Sequence, residues 1–337
     1  MRELDLDELS ARATIAAQRW APGCGVANLA PMSGGTVGLV FRVDLVDGPP
    51  EVATAVLKVA PPGLEPVRNR DMLRQARVIA ALDGCPGVRV PPMLFADAGH
   101  PPEVPPLFAT TLVPGVCEEP LLEANSRQRL PEARTRARAF AAIEMLAALH
   151  RIDPAGIGLG SEPVVSPIDE VDRWTATFAT VPEEVRTGYL ECADALRATA
   201  PTAVAPVVVH GDYRLGNMLC DGDGVSAIID WEIWTLSDPR IDLSWMLFFT
   251  DEAHHPVVTP DIDSGMPSDA ELLAAYESAT GTPVADLDWF HALTRYKEAA
   301  AMALIAKHLA KKGDTDTLDK MTVMLPALVA DAHQRVT

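Results

Sequence analysis

Apolar positions Leu4, Leu6, Leu9, Ile15 and Trp20 recur among acids and arginines between residues 3 and 20, which is the spacing of an amphipathic helix. Residues Val37–Val46 alternate, Asp47-Gly48-Pro49-Pro50 forms a turn, and Val52–Ala60 is a second strand. The pair predicts a β-hairpin, and the glycine-rich turn Ser33-Gly34-Gly35-Thr36-Val37-Gly38 leads into it. Residues 69–83 place Met72, Leu73, Ala76, Ile79, Ala80 and Leu82 at helical spacing. Two short strands are expected near Val90–Ala96 and Leu107–Val113. Up to residue 113 the chain therefore reads as a strand-rich domain with one crossing helix.

The pattern changes at Pro114. Helical periodicity covers 129–151, 183–199, 241–249, 269–279, 288–311 and 315–334. Residues 206–230 are the exception: apolar runs at Pro206–His210, Met218–Cys220 and Val225–Asp230 flank the turn Asp221-Gly222-Asp223-Gly224. A small β-element in a helical setting is a natural place to present loop residues. The expected class is α+β, with domains at 1–113 and 114–337.

Composition narrows the options. The 337 residues are 48% hydrophobic, which excludes a disordered polymer. A net charge of −19 argues against nucleic-acid phosphates or an anionic membrane as partners. The start MRELDLDELS has no apolar secretory core, and no apolar run reaches membrane-spanning length. The five cysteines are scattered and form no C-x-x-C pair, as expected for reduced thiols in a cytoplasm. Oligomeric state is unreadable from these features.

The chemistry concentrates in VVVHGDYRLGNMLCDGDGVSAIIDWE. His210-x-Asp212-x-x-x-x-Asn217 has the spacing of a kinase catalytic loop, with Gly211 where protein kinases carry Arg. Asp230 follows Asn217 by thirteen residues, at the end of an apolar strand. Phosphoryl transfer needs a carboxylate beside the acceptor hydroxyl, a part for Asp212. It also needs hard oxygen ligands for Mg²⁺, a part for Asn217 and Asp230. Taken singly, each residue is an ordinary cap or turn former; the spaced set with strands on both sides carries the signal. Lys58 is the one Lys or Arg in strand 52–60 and lies in phase with Val56 and Ala60. A charge on that face needs an anionic partner, and nucleotide phosphate would serve. The Ser33–Gly38 turn would let backbone N–H groups approach phosphates, although glycine in a hairpin turn is weak evidence alone.

On these residues the chain resembles the aminoglycoside phosphotransferase superfamily, the phosphotransferase enzyme family of kinase-like proteins. HGDYRLGNML, IIDWEIWTLSDPRIDLSW and LHRIDP are similar to its motifs. The DWE form with DPRIDL resembles the branch that includes kinase-like domains joined to some acyl-CoA dehydrogenases. The resemblance implies a two-lobed, protein-kinase-like fold. Its smaller lobe is β-rich with one crossing helix, its larger lobe is mostly helical, and ATP and Mg²⁺ are its cofactors. It implies Asp212 as the base or acceptor-orienting carboxylate, and Asn217 and Asp230 on Mg²⁺. Lys58 and the Ser33, Gly34, Gly35 turn would meet phosphates. Thr110, Thr111, Leu112 and Val113 would line the adenine pocket through backbone groups. His210 would orient the loop and Asp242 would tie it down from the next helix. Kinases pair the strand Lys with a helix Glu; here the aligned position is Gln75, and Asp71 lies one turn earlier. Val37-Gly38 stands where relatives often carry Ser-Asn.

The acceptor is open. Between Arg240 and Arg295 there are ten acids and no Lys or Arg. A negative rim would suit a cationic aminosugar; Phe248, Phe249, Val257, Val258, Trp289 and Phe290 would equally suit a hydroxyacyl compound. Two readings stand: an ATP- and Mg²⁺-dependent small-molecule kinase, or a kinase-like nucleotide-binding protein with weak or no transfer. Arg134, Arg136 and Arg138 read as a solvated helix face, and His254-His255 as a solvated doublet.

Overall fold

The first helix begins where its sequence says it should. Asp5 caps α1, accepting from the backbone N–H of Asp7 and Glu8 at 2.9 and 3.1 Å, which satisfies two otherwise orphaned donors. The computed structural model describes residues 4–32, 38–123, 130–250, 255, 263–311 and 315–337. In chain order the elements are α1 (Leu6–Trp20), β1 (Gly25–Pro31), β2 (Leu39–Val46), β3 (Thr54–Val59), α2 (Met72–Leu82), β4 (Met93–Asp97) and β5 (Leu107–Thr111). There follow α3 (Pro120–Glu123), α4 (Glu132–His150), α5 (Pro167–Phe178), α6 (Tyr189–Ala198), β6 (Val207–Val209), β7 (Met218–Asp221) and β8 (Gly224–Ile228). The last are β9 (Thr235–Ser237), α7 (Arg240–Phe248), α8 (Asp269–Thr280), α9 (Leu287–Lys311) and α10 (Thr315–Gln334).

The chain divides into two compact units. The first holds Met1–Cys117, Ala155–Gly160 and Asn217–Trp234; the second holds the three remaining segments. In the first, an antiparallel sheet runs in the order β1-β2-β3-β5-β4. Ala55, Leu57 and Val59 alternate on one face of β3 and are fully buried with Phe41, Val43 and Leu45 against Leu9, Ala13, Ala16 and Ala17 of α1. Lys58 falls on the opposite, half-buried face. The β7–β8 hairpin belongs to this unit, and a backbone bridge joins it to the end of the β5 segment: Val116 N–H donates to Cys220 O at 3.0 Å, and Cys220 N–H to Val116 O at 2.9 Å.

The second unit is helical, with β6 and β9 as its one strand pair among the described residues. Its core gathers Val171, Phe178, Leu196, Trp245, Phe290, Tyr296 and the small residues Ala299, Ala300 and Ala303 of α9. Among the described residues no helix is long and apolar enough to cross a membrane.

The mixed α+β arrangement agrees with the sequence expectation, and β1, α5 and β9 are among the elements that add to it. β1 carries Asn28 at φ 52° and a bulge between Ala27 and Ala30, which breaks the alternation a strand normally shows. α5 opens on a capping box: the Ser166 side chain accepts from Asp169 N–H and the Asp169 carboxylate accepts from Ser166 N–H. β9 is only three residues long and exists through its pairing with β6. Two expectations are corrected. Arg138 is not on a solvated face but is buried in an ion pair with Glu118. His255 is buried, with its ring 4.7 Å from Phe248 and 5.1 Å from Phe249; His254 lies outside the described residues.

Candidate active site

The helical unit holds the loop that follows β6. Asp242, in the first turn of α7, has no solvent exposure. Its carboxylate accepts from His210 N–H at 2.6 Å and Gly211 N–H at 2.8 Å. Two buried backbone donors are thus satisfied by one ionisable side chain, a strong arrangement because the acceptor is charged. Gly211 sits at φ 89°, a conformation glycine adopts without penalty and an arginine would not. His210 Nδ1 accepts from Asp212 N–H at 3.1 Å. Behind Asp242, His150 of the LHRIDP segment places Nε2 at 3.7 Å and bonds Tyr276 through Nδ1 at 2.7 Å.

Asp212 is held by two donors on one oxygen. Its Oδ1 accepts from Trp245 Nε1 at 2.7 Å and from Arg214 Nε at 3.2 Å. Arg214 also donates to Glu119 Oε2 at 3.1 Å, and the same oxygen accepts from Gly216 N–H at 3.0 Å. Burial pushes the Glu119 carboxyl up to about 7, against the opposing pull of Arg214 and Gly216. Burial, with Asp212 adding to it, likewise pushes Glu298 up to about 7.

The sheet unit holds the second group. Lys58 Nζ lies 3.4 Å from Asp230 Oδ1. Asp230 adopts φ 66°, ψ 52°, a left-handed conformation that Asp tolerates better than most residues. Asn217 is fixed beside it: its carbonyl accepts from Ile229 N–H at 2.9 Å, one step beyond the Met218–Ile228 pairing of the hairpin. The hairpin turn therefore returns the chain so that Asn217 and Asp230 end at its open end. An amide and a carboxylate are the hard oxygen donors that Mg²⁺ takes alongside phosphate and water, so these residues fit that ion.

Thr110 pairs with Val56, and Phe108 with Lys58, on neighbouring strands. Thr111 ends β5, and Leu112 N–H makes a long 3.4 Å bond to Thr54 O before Val113. Ser33, Gly34 and Gly35 lie outside the described residues. Neither helix candidate for Lys58 takes that place. Asp71 caps α2, accepting from Arg74 N–H at 3.0 Å. Gln75 is buried and donates through Nε2 to Asn69 O at 3.0 Å, with its Oε1 unpartnered. The charge partner of Lys58 is Asp230. Glu119, Arg214 and Trp245 were not legible as parts of the loop's support. Arg214 was the accessible one, since it sits two residues after Asp212 and a cation there has a carboxylate within reach.

Residues 28–293 match the sequence profile of the phosphotransferase enzyme family. The chain belongs to the phosphotransferase enzyme family. The α+β architecture is the kinase-like fold of that family. The chain is 29% identical over 169 residues to an Arabidopsis thaliana protein assigned as an acyl-CoA dehydrogenase, covering 44% of this chain and 20% of that one. It spans 20 to 24% of the length of the curated relatives it matches. Among solved structures, it resembles a Ralstonia eutropha protein assigned as an aminoglycoside phosphotransferase, with TM-score 0.74, 21% identity and coverage of 99% and 98% of the two chains. A second neighbour is an aminoglycoside phosphotransferase in ternary complex with AMP-PNP and hygromycin B, with TM-score 0.58, 16% identity and coverage of 91% and 94%.

Proposed function

We propose that this phosphotransferase moves the γ-phosphoryl group of ATP, with Mg²⁺, onto a hydroxyl of a small molecule. The observation that carries the reading is the group Lys58, Asp230 and Asn217, with the ion pair at 3.4 Å and the Asn217 backbone tied to the residue before Asp230 by the Ile229 hydrogen bond. The ATP-analogue complex of the neighbouring phosphotransferase supports a nucleoside triphosphate as donor. Residues 1–113 would supply most nucleotide contacts and 114–337 the loop and acceptor contacts.

Each residue then has a part. Lys58 meets the α- and β-phosphates, and Thr110, Thr111, Leu112 and Val113 offer backbone groups to the adenine. Asn217 and Asp230 hold Mg²⁺, which when bound neutralises charge on the transferring phosphate. Asp212 accepts the proton of the acceptor hydroxyl and orients its oxygen. The new bond forms from that oxygen to the γ-phosphorus, the β–γ bridging bond breaks, and ADP leaves with the electron pair. Asp212 and Asn217 are five residues apart on one stretch of chain, which keeps base and metal ligand in a single loop. Catalysis of this kind is chiefly positioning and electrostatics. An aminosugar and a hydroxyacyl compound are the two acceptor classes that the acidic and apolar residues of 241–294 support. A net charge of −19 supports an enzyme without a nucleic-acid or anionic-membrane partner, and the five scattered cysteines support a reducing, cytoplasmic setting.

The test is thermal unfolding of wild type and Asp230→Ala with and without ATP and Mg²⁺. Ligand at about 100 times its dissociation constant adds about 2.7 kcal/mol, a shift of a few degrees. A Mg²⁺-dependent shift in wild type that shrinks in Asp230→Ala is expected. The absence of any shift with ATP overturns the reading. A shift without hydrolysis or transfer moves the protein to the second class, a nucleotide-binding module.

A further inference from the structure

One buried cation in the helical unit has no part in the chemistry above. Lys297 lies in the middle of α9, 5% exposed, between Tyr296 and the apolar run that begins at Ala299. Its Nζ donates to the carbonyl of Gly211, the residue before Asp212. The same ammonium stands 3.7 Å from the centroid of the Trp245 ring. Trp245 in turn donates from Nε1 to Asp212 Oδ1 at 2.7 Å. One side chain therefore contacts both the peptide leading into Asp212 and the indole that holds its carboxylate.

Burying an ammonium is costly unless its contacts repay the lost hydration, and a methionine would fill the same space without that cost. Burial pushes the Lys297 pKa down; Asp212, Glu170 and Asp242 oppose the fall, and Arg173 adds to it. A hydrogen-bonding side chain thus stands in a place where packing alone does not require one. Gly211, at φ 89°, has no Cβ to restrict its backbone, so a fixed carbonyl limits the loop there. A cation over an indole face likewise restricts the ring, and with it the direction of the N–H.

We infer that Lys297 is a positioning residue for Asp212, acting through the Gly211 carbonyl and the Trp245 ring. The inference rests on the proposed role of Asp212. Without the ammonium, the peptide between Gly211 and Asp212 keeps the bond from its N–H to His210 Nδ1 but loses the one to its carbonyl, and the indole loses its cation contact, so the carboxylate is held less firmly where the acceptor oxygen must sit. A misplacement of about 1 Å at such a group costs on the order of a hundredfold in rate.

The test uses the full chain, with ATP and Mg²⁺ as the probe and hydrolysis as the turnover. Nucleotide binding by calorimetry and steady-state hydrolysis are measured for wild type, Lys297→Met, Lys297→Arg, Trp245→Phe and Asp212→Asn. Lys297→Met is expected to bind ATP with wild-type stoichiometry and affinity while kcat falls by about ten- to a hundredfold. Lys297→Arg recovers most of the loss, because a guanidinium can also donate to the carbonyl and stack on the indole. Trp245→Phe keeps the ring face but loses the N–H, so it shows a loss in kcat alone and keeps the test open if Lys297→Met is insoluble. Wild-type turnover in Lys297→Met overturns the inference. So does an equal loss in Met and Arg with a matching fall in binding stoichiometry, since that marks a role in folding only. In Trp245→Phe, wild-type turnover overturns the relay through the indole. If Asp212→Asn itself turns over normally, the reading of Asp212 fails first. If that variant is dead and Lys297→Met is unimpaired, the inference alone fails. Absence of hydrolysis in wild type overturns both.

Discussion

Lys58 and Gln75 show how one residue's surroundings decide its chemistry. Lys58 reaches a carboxylate at the far end of a hairpin, Asp230, and not one on α2. Removing the ammonium by Lys58→Met is expected to leave the fold intact, because the side chain lies on the half-buried face of β3 and not in the α1-facing core. ATP affinity should fall by about ten- to a hundredfold, the value of a charge-assisted contact of about 1.5–3 kcal/mol. Calorimetry checks it, and unchanged affinity would remove Lys58 from the phosphate site. Gln75→Glu restores the residue that protein kinases carry, yet here it should harm. Its Nε2 donates to Asn69 O at 3.0 Å, and a carboxylate would turn an acceptor toward that carbonyl in a buried place. A loss of about 1–3 kcal/mol in denaturant unfolding, with no gain in ATP affinity, is expected. The Gln75 substitution is readable from sequence; its consequence is not, because the register that pairs Lys58 with Asp230 spans 172 positions of chain.

At the scale of elements, α7 and the loop after β6 act as one device. Asp242→Ala would strand the buried N–H groups of His210 and Gly211, and a destabilisation of about 2–5 kcal/mol is expected from denaturant unfolding. A value near zero would mean the loop finds other acceptors. The same region gives a pH dependence. Glu119 and Glu298 are each raised from 4.5 to about 7, chiefly by burial. Between those values the folded chain keeps protons that the unfolded chain has lost. Their contribution is therefore full below 4.5 and lost as pH rises through about 7. His291, lowered from 6.5 to about 4 by burial and then by Arg295 and Arg335, works the other way, adding stability as pH rises from 4 to 6.5. The difference between chains separates the two. Glu119→Gln combined with Glu298→Gln should lose less stability than wild type between about pH 5 and 7.5, by on the order of 1–3 kcal/mol per site. Parallel stability curves would refute it. Long periodic elements such as α4, α9 and β3 were legible in the sequence, since a face of Leu, Val and Ala states its own period. β1 was not, because Asn28 in a left-handed conformation and the bulge interrupt the alternation. α5 was missed although Ser166-Pro167 and Asp169 spell a helix start. β9 has no signal of its own, and only β6 makes it a strand. The catalytic-loop motif was legible because its spacing is local; its buried supports, Glu119, Trp245 and Lys297, come from distant parts of the chain.

For the whole molecule, a net charge of −19 means that self-repulsion opposes compaction. Screening should relieve it, so the unfolding temperature is expected to rise between about 0.02 and 0.5 M NaCl, where the screening length falls well below protein dimensions. A fall would show that local ion pairs such as Arg12–Asp97 and Arg240–Asp238 outweigh the global term. The units themselves are threaded and not merely joined: the chain changes unit five times. Truncation after residue 117 would consequently discard Asn217 and Asp230 with the hairpin that carries them. A miniature of the first unit calls for a graft instead of a deletion, in which the stretch beginning at Asn217 is spliced behind Cys117. The suture is short, because the Val116–Cys220 bridge already holds the chain next to one cut end beside a point three residues past the other.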